Sequence, residues 1–210
     1  LALLKSTAKY VAGVDVDIEA ARTANAETDE RAAVLLGDGL SLPFVDEQFD
    51  VITSFETLEH IHKRSDFLAE LKRVLKPDGW LILSTPNANY TKPLNGKPSN
   101  PYHVFEYTPG ELRSELEAHF YVKGFMGQTL HESIQVPPFQ DAQKRLPKDI
   151  RTQIKLFGWK SFNKIPVRVR EAVSELIWKK PFYPMEKDYV FSARTVDFAP
   201  VLLTVCRKGS

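Results

Sequence analysis

Four short apolar runs constrain this chain more than anything else in it: residues 11–16, 33–36, 49–54 and 80–84. Each reads as a buried strand; 49–54 ends in a polar switch at Thr53 and Ser54, and the others are closed by an acid, a glycine or a proline. Between them the pattern turns helical. Asp17 is placed to N-cap a helix over 18–26. Over 65–76, Phe67, Leu68, Leu71, Val74 and Leu75 recur at helical spacing, before the stop signal Lys76-Pro77-Asp78-Gly79. Strands alternating with helices through short links predict an α/β fold, mostly parallel, with helices on both faces of the sheet.

Further along, Thr108, Pro109 and Glu111 spell a capping box at the start of a helix over 108–119. Residues 121–128 read as a strand. Residues 189–194 and 201–207 read as two more, forming an antiparallel terminal hairpin on the sheet edge. Residues 89–101 are rich in Pro, Asn, Gly and Lys and too long for a plain connector, as expected of a lid or substrate loop. Residues 129–188 are basic, aromatic and Pro-studded. They form the expected insertion or substrate subdomain, with a helix predicted over 168–179, between a domain at 1–128 and strands at 189–210 that complete its sheet. The basic residues, among them Lys144, Arg151, Lys160 and Arg168, face either phosphates or simply solvent.

A chain of 210 residues with 43% hydrophobic content buries a full core. Its net charge of +1 points to no class of charged partner. The single cysteine, Cys206, excludes an internal disulfide framework and suits a reducing compartment. No run reaches the roughly 20 apolar residues of a spanning helix. The expected localisation is cytoplasmic, and the sequence specifies no oligomeric state.

The stretch with most chemistry is FDVITSFETLEH, residues 49–60. Its apolar half ends at Thr53-Ser54, and Glu56, Glu59 and His60 follow at i, i+3 and i+4. On a helix they share one face. Ligands of open α/β sheets sit beyond the carboxyl ends of strands, so this strand end is the expected site.

The blocks GDGLSLPF, FDVITSFETLEH and FLAELKRVLKPDGWLILSTPN occur in an order that resembles class I S-adenosylmethionine-dependent methyltransferases. The resemblance covers residues 1–128 and the last strand. It implies a Rossmann-like fold and S-adenosylmethionine as cofactor. It also implies that Asp15, beside Val16, holds the ribose hydroxyls. Asp38 would face the adenine amine, with Gly39 and Leu40 giving backbone contacts and Ser54 lining the site. The family's first strand and Gly-rich turn would stand before Leu1 and are not in the sequence. Leu1 reads as the tail of an uncapped helix, so the expectation is a fragment of a longer protein.

A narrower resemblance joins Glu56-Thr57-Leu58-Glu59-His60 to His103-Val104-Phe105-Glu106-Tyr107-Thr108. The pair resembles metal-assisted RNA 2′-O-methyltransferases, in which two Glu and two His hold a divalent ion. By position the ligands are Glu56, Glu59, His60 and His103, and the ligand types suit Mg, Mn, Fe or Zn. The open alternatives are His60 as general base, with Glu56 and His103 as partners, or a structural role for these residues. Glu106 either orients His103 or precedes the helix cap. Asn87 touches substrate or shapes a turn. His62, His119 and His131 read as surface or helix-end residues. The expected activity is O-methylation of a small or glycan-type hydroxyl acceptor. RNA 2′-O-methylation and a non-catalytic binding module of the same fold are the alternatives.

Overall fold

The computed structural model describes residues 7–26, 28, 30–131 and 188–209, with 166, 169, 172, 173 and 176. The chain divides into two compact units, one of residues 1–128 with 191–210 and one of 129–190. Most of the predicted basic insertion lies outside the described residues. Of the helix predicted over 168–179, Val169, Ala172, Val173 and Leu176 are described, and all four are helical.

In the first unit the alternation of strand and helix is present as predicted. β1 (Val11–Asp15) leads through α1 (Ile18–Ala26) to β2 (Ala32–Leu36), its parallel neighbour. Asp17 caps α1, its carboxylate accepting from the backbone N–H groups of Glu19 and Ala20. β3 (Phe49–Phe55), α2 (Arg64–Val74) and β4 (Leu75–Pro86) repeat the motif, β3 and β4 again parallel. α2 stops at Val74, two residues before the sequence signal, because Leu75 is already extended and begins β4. α3 (Ala88–Thr91) and α4 (Pro109–Glu117) follow, and the capping box of α4 is formed in both directions.

β5 (Tyr121–Leu130), β6 (Tyr189–Ser192) and β7 (Val201–Arg207) complete a five-stranded sheet in the order β3-β4-β7-β5-β6. β7 lies antiparallel between β4 and β5. The two terminal strands therefore do not form the expected hairpin, since β5 separates them. With the parallel pair β3-β4 and an antiparallel β4-β7-β5 ribbon, this sheet is mixed. β1 and β2 form a separate two-stranded sheet.

The core lies where α2 and α4 meet the five-stranded sheet. Phe67, Leu68 and Leu71 of α2, Leu112 and Leu116 of α4, Leu81 and Leu83 of β4, and Leu202 and Cys206 of β7 form one buried cluster. The strand residues alternate inward at period two, as a half-buried face requires. No helix among the described residues is long and apolar enough to cross a membrane.

Candidate active site

The stretch after β3 does not continue as a helix. Glu56 takes a left-handed backbone, with φ of 48°, and a single 3-10 turn, Leu58–His60, follows. A non-glycine residue in that region is uncommon, and such residues gather at functional sites. The turn separates Glu56 from the other two predicted side chains. Glu56 is exposed and bound back to β4: Ser84 Oγ donates to its Oε1 at 2.7 Å, and its backbone N–H donates to the Ser84 carbonyl. Glu59 is 1% exposed. Its Oε2 accepts from Thr85 Oγ1 at 3.0 Å, and its Oε1 is buried with no hydrogen-bond partner among the described residues. Burial first, then the charge of Glu56, pushes its carboxyl above the ordinary range. The expected shared face of Glu56, Glu59 and His60 is thus replaced by a split.

The segment carrying His103 is fixed to the same turn, because the backbone N–H groups of Val104 and Phe105 both donate to the Glu59 carbonyl. The rings of His60 and His103 meet edge to face at 4.9 Å. Glu59, His60 and His103 each offer one ligand atom, and these atoms lie within 4.8 Å of one another. Three of the four predicted ligands come together. Glu56 does not join them.

Hydrogen bonds settle which ring nitrogens are bare. His60 Nδ1 lies 2.9 Å from the Tyr102 carbonyl. A carbonyl only accepts, so Nδ1 carries the proton and Nε2 holds a lone pair in the neutral ring. His103 Nδ1 lies 2.7 Å from Oε1 of the buried Glu106. Its Nε2 lies 2.8 Å from Asn100 Nδ2. The Asn100 amide has a defined orientation, because its Oδ1 accepts from the Tyr102 backbone N–H. Its NH2 therefore faces His103 and donates to Nε2. Glu106 is the orienting acceptor for His103, and Thr91 Oγ1 donates to its other oxygen. Glu59 Oε1 and the two imidazole Nε2 atoms are thus acceptors, and of the three only His103 Nε2 meets a donor among the described residues, the Asn100 amide.

The predicted cofactor residues sit at the ends of β1 and β2. Asp15 ends β1, and its Oδ1 accepts from the backbone N–H of Asp17. The Gly37 N–H donates to the Asp15 carbonyl, joining the two strand ends. Val16 follows and is exposed. Asp38 Oδ1 accepts from the backbone N–H of Leu40. A Cβ on Gly39 would stand 2.8 Å from the Phe67 ring, so the loop can lie against α2 only with glycine there. Leu40 packs on the core cluster. The loop is clamped further on: the Leu42 N–H donates to Glu70, and the Arg73 guanidinium donates to Glu70, Asp46 and the carbonyls of Leu42 and Phe44. Ser54 is buried near the end of β3, and its Oγ has no hydrogen-bond partner among the described residues.

Other residues resolve into structural parts. Asn87 is fully buried, its amide bonded to the carbonyls of Val196 and Ala199. These bonds make it a structural tie between the end of β4 and residues 196–199. His119 Nε2 pairs with Ser65 Oγ at 3.0 Å. Asn100, Tyr102 and Thr85 were not singled out in the sequence. The available signal was the Asn-Pro dipeptide at 100–101, a turn former three residues before His103.

Residues 1–83 match the family described as a methyltransferase domain. A probable S-adenosylmethionine-dependent methyltransferase of Mycolicibacterium smegmatis is 33% identical over 126 residues, covering 60% of this chain and 49% of its own length. The chain spans about half the length of the curated relatives it matches first. A putative methyltransferase solved with the Haloferax volcanii Trm112 methyltransferase activator superposes over 100% of this chain and 77% of its own, with TM-score 0.60 and 21% identity. A putative methyltransferase of Bacillus halodurans covers 99% of this chain and 86% of its own, with TM-score 0.56 and 16% identity. These structures share the Rossmann-like fold.

Proposed function

We propose that this chain, whose residues 1–83 match a methyltransferase domain and which is 33% identical over 126 residues to a probable S-adenosylmethionine-dependent methyltransferase, is a class I S-adenosylmethionine-dependent methyltransferase that O-methylates a small or glycan-type hydroxyl acceptor, with His60 as the base. The observation that carries the reading is the hydrogen bond from His60 Nδ1 to the Tyr102 carbonyl. It holds the ring in the tautomer whose Nε2 takes a proton, on a side chain that is 42% exposed. The acceptor oxygen attacks the methyl carbon in line as its proton passes to Nε2. The methyl–sulfur bond breaks, and the electron pair stays on sulfur as neutral S-adenosylhomocysteine. Positioning supplies most of the acceleration. Glu59 Oε1, 4.0 Å from Nε2, offers its charge to the imidazolium that forms.

Asp15 and Asp38 support the cofactor reading. Each uses one carboxylate oxygen on its own turn, which fixes the side chain and leaves a second oxygen for a ribose hydroxyl or the adenine amine. Gly39 and Leu40 present backbone beside them, and the unpartnered Ser54 Oγ offers a further contact.

One observation favours a second reading, metal-assisted transfer. Three converging acceptors with a buried orphan oxygen fit a cation, and two imidazoles with a carboxylate are a common divalent-metal set. Glu59, His60 and His103 would hold the ion, with Glu56 outside. Bound there, it would lower the pKa of the acceptor hydroxyl. The chain's own part is unchanged: Tyr102 and Glu106 orient the rings, and Thr85 fixes Glu59.

Calorimetric titration with S-adenosylhomocysteine, followed by transfer assays on hydroxylated acceptors, tests the proposal. Micromolar binding that weakens at least tenfold in Asp15→Ala is expected. His60→Ala should lower transfer by about 10²–10⁴. Absence of binding, or undiminished transfer in His60→Ala, refutes it.

A further inference from the structure

One tight turn, residues 100–103, controls both histidines of the acceptor cluster. It is closed by the backbone bond from His103 N–H to the Asn100 carbonyl and by the bond from Tyr102 N–H to Asn100 Oδ1. From this turn the Tyr102 carbonyl accepts from His60 Nδ1, and the Asn100 amide donates to His103 Nε2. The two contacts have opposite consequences. The first leaves a lone pair free on His60. The second covers the lone pair of His103, the atom through which that ring would bind an electrophile, since Nδ1 is held by Glu106. Meanwhile Glu59 Oε1, buried and without a donor, stands 4.0 Å from His60 Nε2. Leaving such an oxygen unmet is costly in a folded protein.

We propose that Asn100 is a removable cap on a divalent-cation site formed by Glu59, His60 and His103. This rests on the metal-assisted reading above. The cap protects His103 Nε2 when no cation is present, and an arriving cation displaces the amide from it. Glu106, buried behind the ring and held by Thr91, keeps His103 aimed at the site throughout. His60 needs no such release, because its Nε2 is already bare. Asn100 is a positioning residue and not a ligand. Its amide nitrogen has no lone pair to give, and its oxygen is used by Tyr102.

The test is titration of the chelator-stripped chain with Mn²⁺ alone, followed by electron paramagnetic resonance of the free ion. Wild type should bind one ion saturably, and Glu59→Gln and His103→Ala should each weaken binding at least tenfold. Asn100→Ala should bind about three- to tenfold tighter than wild type, the weight of one neutral hydrogen bond no longer competing. Asn100→Ser guards against loss of the turn, since its hydroxyl still accepts from Tyr102 N–H but is too short to reach His103. It should tighten binding equally. The ¹⁵N resonance of His103 Nε2 should also move toward that of an unbonded imidazole nitrogen in both variants. If Mn²⁺ binds through Glu59 and His103 but neither Asn100 variant tightens it, the cap is refuted and the cation reading stands. Failure of every protein to bind Mn²⁺ saturably overturns both.

Discussion

Replacing Asn87 tests how the end of β4 is tied to residues 196–199. The side chain is fully buried. Its NH2 donates to the Ala199 carbonyl at 2.8 Å and the Val196 carbonyl at 2.9 Å, and its Oδ1 accepts from the Asn89 N–H at 3.0 Å. Asn87→Ala strands all three groups. The Ala199 carbonyl is fully enclosed and costs about 2 kcal/mol unbonded, and the two partly hydrated groups cost less than about 1 kcal/mol each. The expected loss is therefore about 3 kcal/mol. Asn87→Asp separates hydrogen bonding from packing, because it keeps the shape but cannot donate while ionised. Two carbonyl oxygens facing the carboxylate raise its folded pKa above the unfolded value of about 3.9. The folded state then holds the extra proton, so this variant's deficit against wild type is small near pH 4 and grows as pH rises through the folded pKa. Urea unfolding at pH 4.5 and 7.5 measures both. A deficit under 1 kcal/mol for Asn87→Ala, or one independent of pH for Asn87→Asp, would refute the account.

Three further outcomes are expected. Gly39→Ala should weaken S-adenosylhomocysteine binding at least tenfold by calorimetry, since its methyl would meet the Phe67 ring at 2.8 Å and lift the Asp38–Leu40 loop; unchanged affinity would remove that loop from the cofactor site. Cys206 is fully buried, and burial pushes its thiol up to about 11, so iodoacetamide should label it only in denaturant; labelling of the native protein contradicts this. Burial raises the Glu59 carboxyl above its unfolded value, so the folded state holds the extra proton and the contribution of Glu59 to stability should fall as pH rises through the folded pKa. In chelator, Glu59→Gln should lack that slope, and parallel profiles for the two proteins would show that Glu59 carries no such penalty.

What the sequence made legible was local. Asp17 and the Thr108–Glu111 box cap their helices as read, because a cap is decided within four residues. Phe67, Leu68, Leu71 and Val74 are buried as their spacing required. What failed was pairing at a distance. Residues 189–192 and 201–207 are both strands, but their neighbours in the sheet depend on β5, far earlier in the chain, and adjacency in sequence misled. At the site, Glu59, His60 and His103 were legible as residues, whereas Asn100 was hidden in a loop whose composition speaks only of turns.

Glu56 shows why spacing alone could not settle the chemistry. The i, i+3, i+4 pattern assumes a helix, and a left-handed residue at its first position removes that assumption. With Glu56 drawn to Ser84, one carboxylate remains beside two imidazoles, and its charge is opposed by burial. Such a cluster presents acceptor atoms that can take a proton from an acceptor hydroxyl or receive a cation. Both uses need the same bare Nε2 on His60, which the Tyr102 carbonyl provides. They differ at His103. Base catalysis can leave that ring capped by Asn100, whereas coordination must uncap it. The chemical choice at this site therefore turns on one amide hydrogen bond of 2.8 Å in a four-residue turn.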